Sequence, residues 1–117
     1  MGIFYSSPAD VIKKMCEKYR PPHNIKPDLS YLKSALSSPD LQISDEVQRD
    51  LRSILWYAAW KDHTDIISAI LSALPQQQRL SILTHDSYTA LREAAVNGNT
   101  DSLLILPLHK YFQFDNR

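Results

Sequence analysis

The chain has 117 residues, 44% of them hydrophobic, and its 13 basic residues are balanced by 13 acidic ones. This length fits one small domain, and zero net charge disfavours a general nucleic-acid-binding protein, which normally carries a basic excess. The single cysteine, Cys16, excludes an internal disulfide and a zinc site of several cysteines. Only two glycines, with periodic apolar segments between prolines, disfavour an all-β fold and disorder.

Two short helices are predicted before residue 40. Ser7 is a predicted N-cap, and Pro8 suits the first helical turn. Pro21 ends this helix because proline lacks a backbone donor and restricts the residue before it. Asp28 caps the second helix, which ends before Pro39. The apolar positions recur at helical spacing and are Val11, Ile12, Met15, Cys16 and Tyr19, then Leu29, Leu32, Ala35 and Leu36.

Five further helices are predicted in the rest of the chain. Their starts, in chain order, are Ser44, Thr64-Asp65, Pro75, Thr89 and Thr100-Asp101. Gly98 is predicted to form a tight C-terminal break, and Asp62 holds the equivalent place in an earlier helix. No stretch shows the sustained alternation that is typical of strands. The predicted fold class is therefore all-α, built from pairs of short helices.

An internal repeat determines the predicted architecture. When the chain is shifted by 36 residues against itself, six of the 22 residues in the range 50–71 fall on an identical residue. The identical pairs are Asp50 and Asp86, Leu55 and Leu91, Ala58 and Ala94, Ala59 and Ala95, Thr64 and Thr100, and Asp65 and Asp101. Adjacent alanines allow neighbouring helices to approach closely. We therefore expect the alanine pairs of the two copies to meet at a helix contact.

The run DSYTALREAAVNGNTDSLLIL, residues 86–106, resembles an ankyrin repeat, and residues 50–71 are a weaker copy of it. The run departs from the family pattern at several positions. Ser87 replaces the turn glycine, Ala90 the proline, Arg92 and Trp56 the buried histidine, and Pro107 the last leucine. The spacing of 36 residues also exceeds the family's usual value of about 33.

The resemblance implies one ankyrin-like helical domain over residues 1–117, a stack of about two and a half to three helix-turn-helix repeats. A degenerate N-terminal pair spans residues 8–37, one repeat spans 44–74, and residues 76–110 hold a second repeat with the C-terminal helix. Another helical-hairpin solenoid or a helix bundle remains an alternative architecture.

The resemblance also implies a binding surface, because ankyrin-like proteins usually contact their partners through the concave face. Trp, Tyr and Arg are enriched among the residues that dominate interface energetics. We expect Trp60 to be partly exposed on this face, and Trp56 to fill the core. The predicted partner-binding residues are Arg49, Arg52, Trp60, Lys61, His85, Tyr88, Val96 and Asn97.

These features predict a non-enzymatic adaptor or inhibitor that binds an unidentified protein, without a cofactor, a metal or nucleic acid. We expect it to be cytoplasmic, or to act in a host cytosol if it is a secreted effector such as the ankyrin-like proteins of intracellular bacteria and viruses. Self-association is also compatible with so few repeats, because about three are needed for a stable stack.

Two alternatives from other functional classes remain open. Gly2 and Ser6 fit the short pattern for N-myristoylation, which would make the protein a membrane-associated module. Neither apolar stretch, residues 66–74 nor 103–108, has the ~20 residues of a spanning helix. The second alternative is a small enzyme that uses Cys16 as a nucleophile with His23, although a buried structural thiol explains Cys16 more simply.

Overall fold

The computed structural model describes residues 7–84, 92 and 95–105, and this part of the chain contains helices but no strands. The helices are α1 (Pro8–Tyr19), α2 (Leu29–Leu36), α3 (Asp45–Lys61), α4 (Thr64–Ala73), α5 (Gln76–Thr84) and α6 (Thr100–Ile105). The predicted all-α class is confirmed over these residues. None of the described helices combines the length and apolar character needed to cross a bilayer. The predicted helix start at Thr89 lies outside the described residues.

The first three helices begin at the residues predicted to cap them. The Ser7 hydroxyl accepts a hydrogen bond from the backbone N–H of Asp10 at 3.1 Å. The Asp28 carboxylate caps α2 at 2.9 Å, and the Ser44 hydroxyl caps α3 at 3.2 Å. Each cap satisfies one of the backbone donors that a helix leaves unpaired at its N-terminus.

The start of α4 differs by one residue from the prediction. Thr64 is the first residue of the helix rather than its cap, and the N-cap residue, His63, makes no side-chain capping bond. The connection between α3 and α4 is short. The backbone N–H of His63 bonds to the Ala58 carbonyl at 2.8 Å, and α4 begins at the next residue. The Asp65 carboxylate accepts from the Lys26 ammonium at 2.8 Å.

The two predicted tight breaks share one backbone conformation. Asp62 ends α3 with φ of 59°, and Gly98 has φ of 68°. Both values lie in the left-handed region that favours glycine and that aspartate tolerates better than most residues. The two residues are 36 positions apart, and α4 and α6 each begin two residues later. The local backbone geometry therefore repeats at the spacing found in the sequence.

The described helices pack as neighbouring hairpins. Helix α1 packs on α2 and α3 on α4, while α1 also packs on α3 and α2 on α4. Helix α6 continues this arrangement by packing on α4, and α5 lies against α3. The core lies between the hairpins, and its largest fully buried apolar side chains are Ile12, Tyr19, Leu32, Leu51, Ile54, Leu55, Ile66, Ile67 and Ile70.

The expected contact between the alanine pairs fails at Ala95, the one alanine of the second pair that lies within the described residues. Ala58 and Ala59 are fully buried in α3, but Ala95 is exposed, so the prediction for Ala95 is wrong. A polar contact joins the two copies instead: the Asn99 side-chain amide donates to the carbonyls of Ala59 and Trp60. Ala94 lies outside the described residues.

Candidate functional site

The most prominent surface of α3 combines aromatic and cationic side chains. We call Arg49, Arg52, Trp56 and Trp60 the Trp–Arg face. These positions are three or four residues apart, so they lie on one side of the helix. The opposite side of α3, with Ile54 and Ala58, is fully buried. Helical periodicity thus separates a core-facing side from a side that is available for contact.

The two tryptophans form the centre of the Trp–Arg face. Their ring centroids are 6.1 Å apart with the ring planes tilted by 41°, a geometry within the usual range for favourable aromatic pairs. Trp60 is 39% exposed, which agrees with its predicted partial exposure. The pair therefore leaves parts of two adjacent, rigid indoles exposed at the surface.

The prediction that Trp56 fills the core is wrong, because Trp56 is only half-buried and does not belong to the cluster of buried core residues. Its ring packs edge-on against Tyr57, with the centroids 5.1 Å apart. The reason lies in the register of α3, in which alanines and branched residues occupy the buried side. The indole Nε1 of Trp56 is itself shielded from solvent and has no hydrogen-bond partner among the described residues.

The charged members of the predicted site differ in their surroundings. Arg49 is exposed and lies 3.8 Å from the Glu46 carboxylate, whereas Arg52 is partly buried. An exposed pair at this distance contributes little to stability, so Arg49 can exchange Glu46 for another partner. Lys61 donates to the Asn24 side chain at 3.1 Å, and its ammonium lies 5.5 Å from the ring centres of both Tyr19 and Trp60. Lys61 therefore links the C-terminal end of α3 to Asn24 and to the ring of Tyr19.

The remaining predicted partner-binding residues belong to the second copy. Val96 is 71% exposed, and Asn97 is exposed in the turn that Gly98 completes. The contact of Asn99 with the Trp60 carbonyl, at 3.0 Å, brings this turn to the C-terminal end of α3. His85 and Tyr88, like the candidate lipidation residue Gly2, lie outside the described residues.

A second cluster, which the sequence did not predict, joins α1 to the start of α4. The Tyr19 hydroxyl lies 2.5 Å from Nδ1 of His63, and the two rings stack at 5.8 Å with 10° between their planes. Burial raises the pKa of Tyr19, as does the nearby Asp65 carboxylate, so the phenol keeps its proton. Burial lowers the pKa of His63, and the positive charge of Lys26 lowers it further. The Tyr19 hydroxyl and Nδ1 of neutral His63 therefore share one hydrogen bond, and the tautomer of His63 sets which group donates.

The residues considered for catalysis or metal binding are not brought together in the described part of the chain. Burial and the Asp50 carboxylate raise the pKa of the Cys16 thiol, which reduces its thiolate fraction, although a hydrogen bond with Ser53 opposes this effect. Cys16 is buried, whereas His23 is exposed. Among the described residues, no group of three or more His, Cys, Asp or Glu side chains is arranged to hold a metal ion.

Comparison with known proteins identifies no relative of this chain. No protein-family model matches the chain, and neither a curated protein nor a solved structure matches it.

Proposed function

We propose that the protein is a non-enzymatic interaction module, an adaptor or inhibitor, that binds a protein partner through the Trp–Arg face of α3. One observation carries this proposal: Trp56 and Trp60 pack together at the surface of a helix whose other side is buried. Tryptophan and arginine are the residues most enriched among interface hot spots. A partner that covered both indoles would remove apolar area from water without a change in the core.

The proposed scaffold is an ankyrin-like stack of helical hairpins. Its support is the pairing of α1 with α3 and of α2 with α4, together with the left-handed turns at Asp62 and Gly98. In such a stack α1 and α3 are the inner helices, and the Trp–Arg face lies on the concave side with Val96 and Asn97 nearby. His85 and Tyr88 are proposed to extend this face.

The test is affinity purification of the tagged full chain from cells of its natural source, followed by mass spectrometry. We expect a partner that is recovered with the parent protein and lost with Arg52→Ala combined with Trp60→Ala. The matched control is Tyr31→Ala, which removes another exposed aromatic ring, from α2. Truncating an interface hot spot costs about 2 kcal/mol or more, which corresponds to a loss of affinity of at least tenfold.

Thermal unfolding of the same variants distinguishes lost binding from lost folding. Because Trp60 is partly exposed and Arg52 has no ion pair among the described residues, we expect the double variant to melt close to the parent. Equal recovery of the partner with the parent and the folded double variant would show that another surface mediates binding.

A further inference from the structure

A groove in the first hairpin lies apart from the Trp–Arg face. It has a volume of about 260 Å³, and all its lining residues belong to α1, to the connection before α2, or to the start of α2. Its apolar wall consists of Val11 and Met15 of α1 with the buried Pro27. Ile25 and Tyr31 stand at its edge, 54% and 59% exposed. These are two of the four large apolar side chains that the described part of the chain exposes.

The rim of this groove is cationic. Lys14 and Lys18 are exposed on α1, one helical turn apart, and neither forms an ion pair within the described residues. Lys26, the third lysine, is already paired with Asp65 at 2.8 Å. The Asp28 carboxylate at the groove is also engaged, because it accepts the capping bond from the N–H of Tyr31. The groove lining thus carries three lysines against one carboxylate, and Lys14 and Lys18 are the lysines without an ion pair among the described residues.

We propose that this groove is a second binding site, whose ligand is an acidic peptide segment with a large apolar side chain. The apolar side chain lies against Met15 and Ile25, and carboxylates beside it in the peptide pair with Lys14 and Lys18. The volume is below the roughly 300–1,000 Å³ of pockets for drug-sized ligands, and it suits one or two side chains of a peptide. Complementary charge would speed the encounter and select against basic segments.

An anionic membrane is the other surface that lysines and exposed apolar residues can attract, but the shape and charge of the site favour a peptide. Val11, Met15 and Pro27 are buried and form the wall of the groove, whereas insertion into a bilayer requires several protruding apolar groups, of which this site has Ile25 and Tyr31 at its edge. Asp10 and Glu17 lie exposed on α1 beside the lysines and would repel anionic headgroups. A narrow peptide can reach the two lysines without covering these carboxylates.

The test begins with selection from a random library of peptides displayed on phage, with the full chain as the target. We expect enriched peptides that combine carboxylates with Leu, Ile, Phe or Trp. The enriched peptides are then synthesised with a fluorescent label, and their affinity is measured by anisotropy. Lys14→Gln with Lys18→Gln should weaken binding by about tenfold or more, and added salt should weaken binding to the parent. Ile25→Ser should cost about tenfold through lost apolar burial.

Matched variants separate the groove from general effects of charge and hydrophobicity. Lys13→Gln with Lys33→Gln removes the same charge elsewhere, and Val96→Ser removes an exposed apolar side chain; both should change affinity by less than about twofold. Arg52→Ala with Trp60→Ala should leave peptide binding intact, so the groove and the Trp–Arg face are tested independently. Enrichment of no acidic peptide, or equal binding to the Lys14 and Lys18 variant, would overturn the proposal. The proposal would also be overturned if the protein sedimented with phosphatidylserine vesicles in a way that required Ile25 and if no peptide displaced it from the vesicles.

Discussion

The contact between Tyr19 and His63 offers the sharpest test of how the hairpins are held together. Tyr19→Phe keeps the buried ring and its packing against Tyr57, at 5.8 Å, but removes the hydroxyl that lies 2.5 Å from His63 Nδ1. An intramolecular hydrogen bond contributes about 0.5–1.5 kcal/mol net, and a partner left unsatisfied in a buried place costs about 1–3 kcal/mol. Since His63 is only partly buried, we expect the free energy of unfolding to fall by about 1–2 kcal/mol.

Urea denaturation followed by circular dichroism at pH 8, where His63 is neutral, measures this loss. Tyr31→Phe is the matched control, because the Tyr31 side chain is 59% exposed and changes its environment little on folding. Combining Tyr19→Phe with His63→Gln completes a double-mutant cycle, and we expect a coupling energy of about 0.5–1.5 kcal/mol between the two positions. A loss from Tyr19→Phe within the ~0.5 kcal/mol scatter of neutral surface substitutions would refute this account of the contact.

Two further predictions concern protonation and close packing. The pKa of His63 in the folded protein is below its ordinary value of 6.5, so the unfolded chain binds the proton more readily. The contribution of His63 to stability is therefore full above pH 6.5 and is lost as the pH falls below it. When the pH is lowered from about 8 to about 5.5, the urea midpoint should fall further in the parent than in His63→Gln. Ala58→Leu should lower the free energy of unfolding by about 1–3 kcal/mol, because Ala58 is fully buried. Ala73→Leu, on the exposed side of α4, is the control and should be nearly neutral. Equal melting temperatures of the two variants would contradict the packing of α3.

Local signals in the sequence predicted the beginnings and ends of helices well. Ser7, Asp28 and Ser44 form the caps expected of their residue types, since a cap depends on bonds between residues three positions apart. The breaks at Asp62 and Gly98 were likewise predictable, because few residue types tolerate the left-handed conformation found there. Such features depend on residues within one helical turn of each other, so they can be predicted without knowing which segments pack against them.

Contacts between distant segments were less predictable. The Tyr19–His63 bond joins residues 44 positions apart, and neither residue type alone indicates the partner. The exposure of Trp56 depends on how α3 rotates against α1 and α4, and a large aromatic residue one turn from Trp60 is compatible with either side of the helix. Arg49, Arg52 and Trp60 were predicted from the ankyrin resemblance and from the enrichment of Trp and Arg at interfaces, and the structure places them on one side of α3.

The contacts between hairpins converge on the end of α3 that carries Trp60. On one side His63, just beyond this helix, bonds to Tyr19, and Lys61 bonds to Asn24. On the other side Asn99 bonds to the Trp60 carbonyl, and the fully buried Ser102 donates to the Asp62 carboxylate at 2.6 Å. A helix end held from both sides loses little conformational freedom when a partner binds, so more of the contact energy of the indoles remains as affinity. The polar contacts of these turns therefore support the proposed Trp–Arg face. Substitutions that weaken these contacts should reduce partner binding, through lost rigidity, before they unfold the chain.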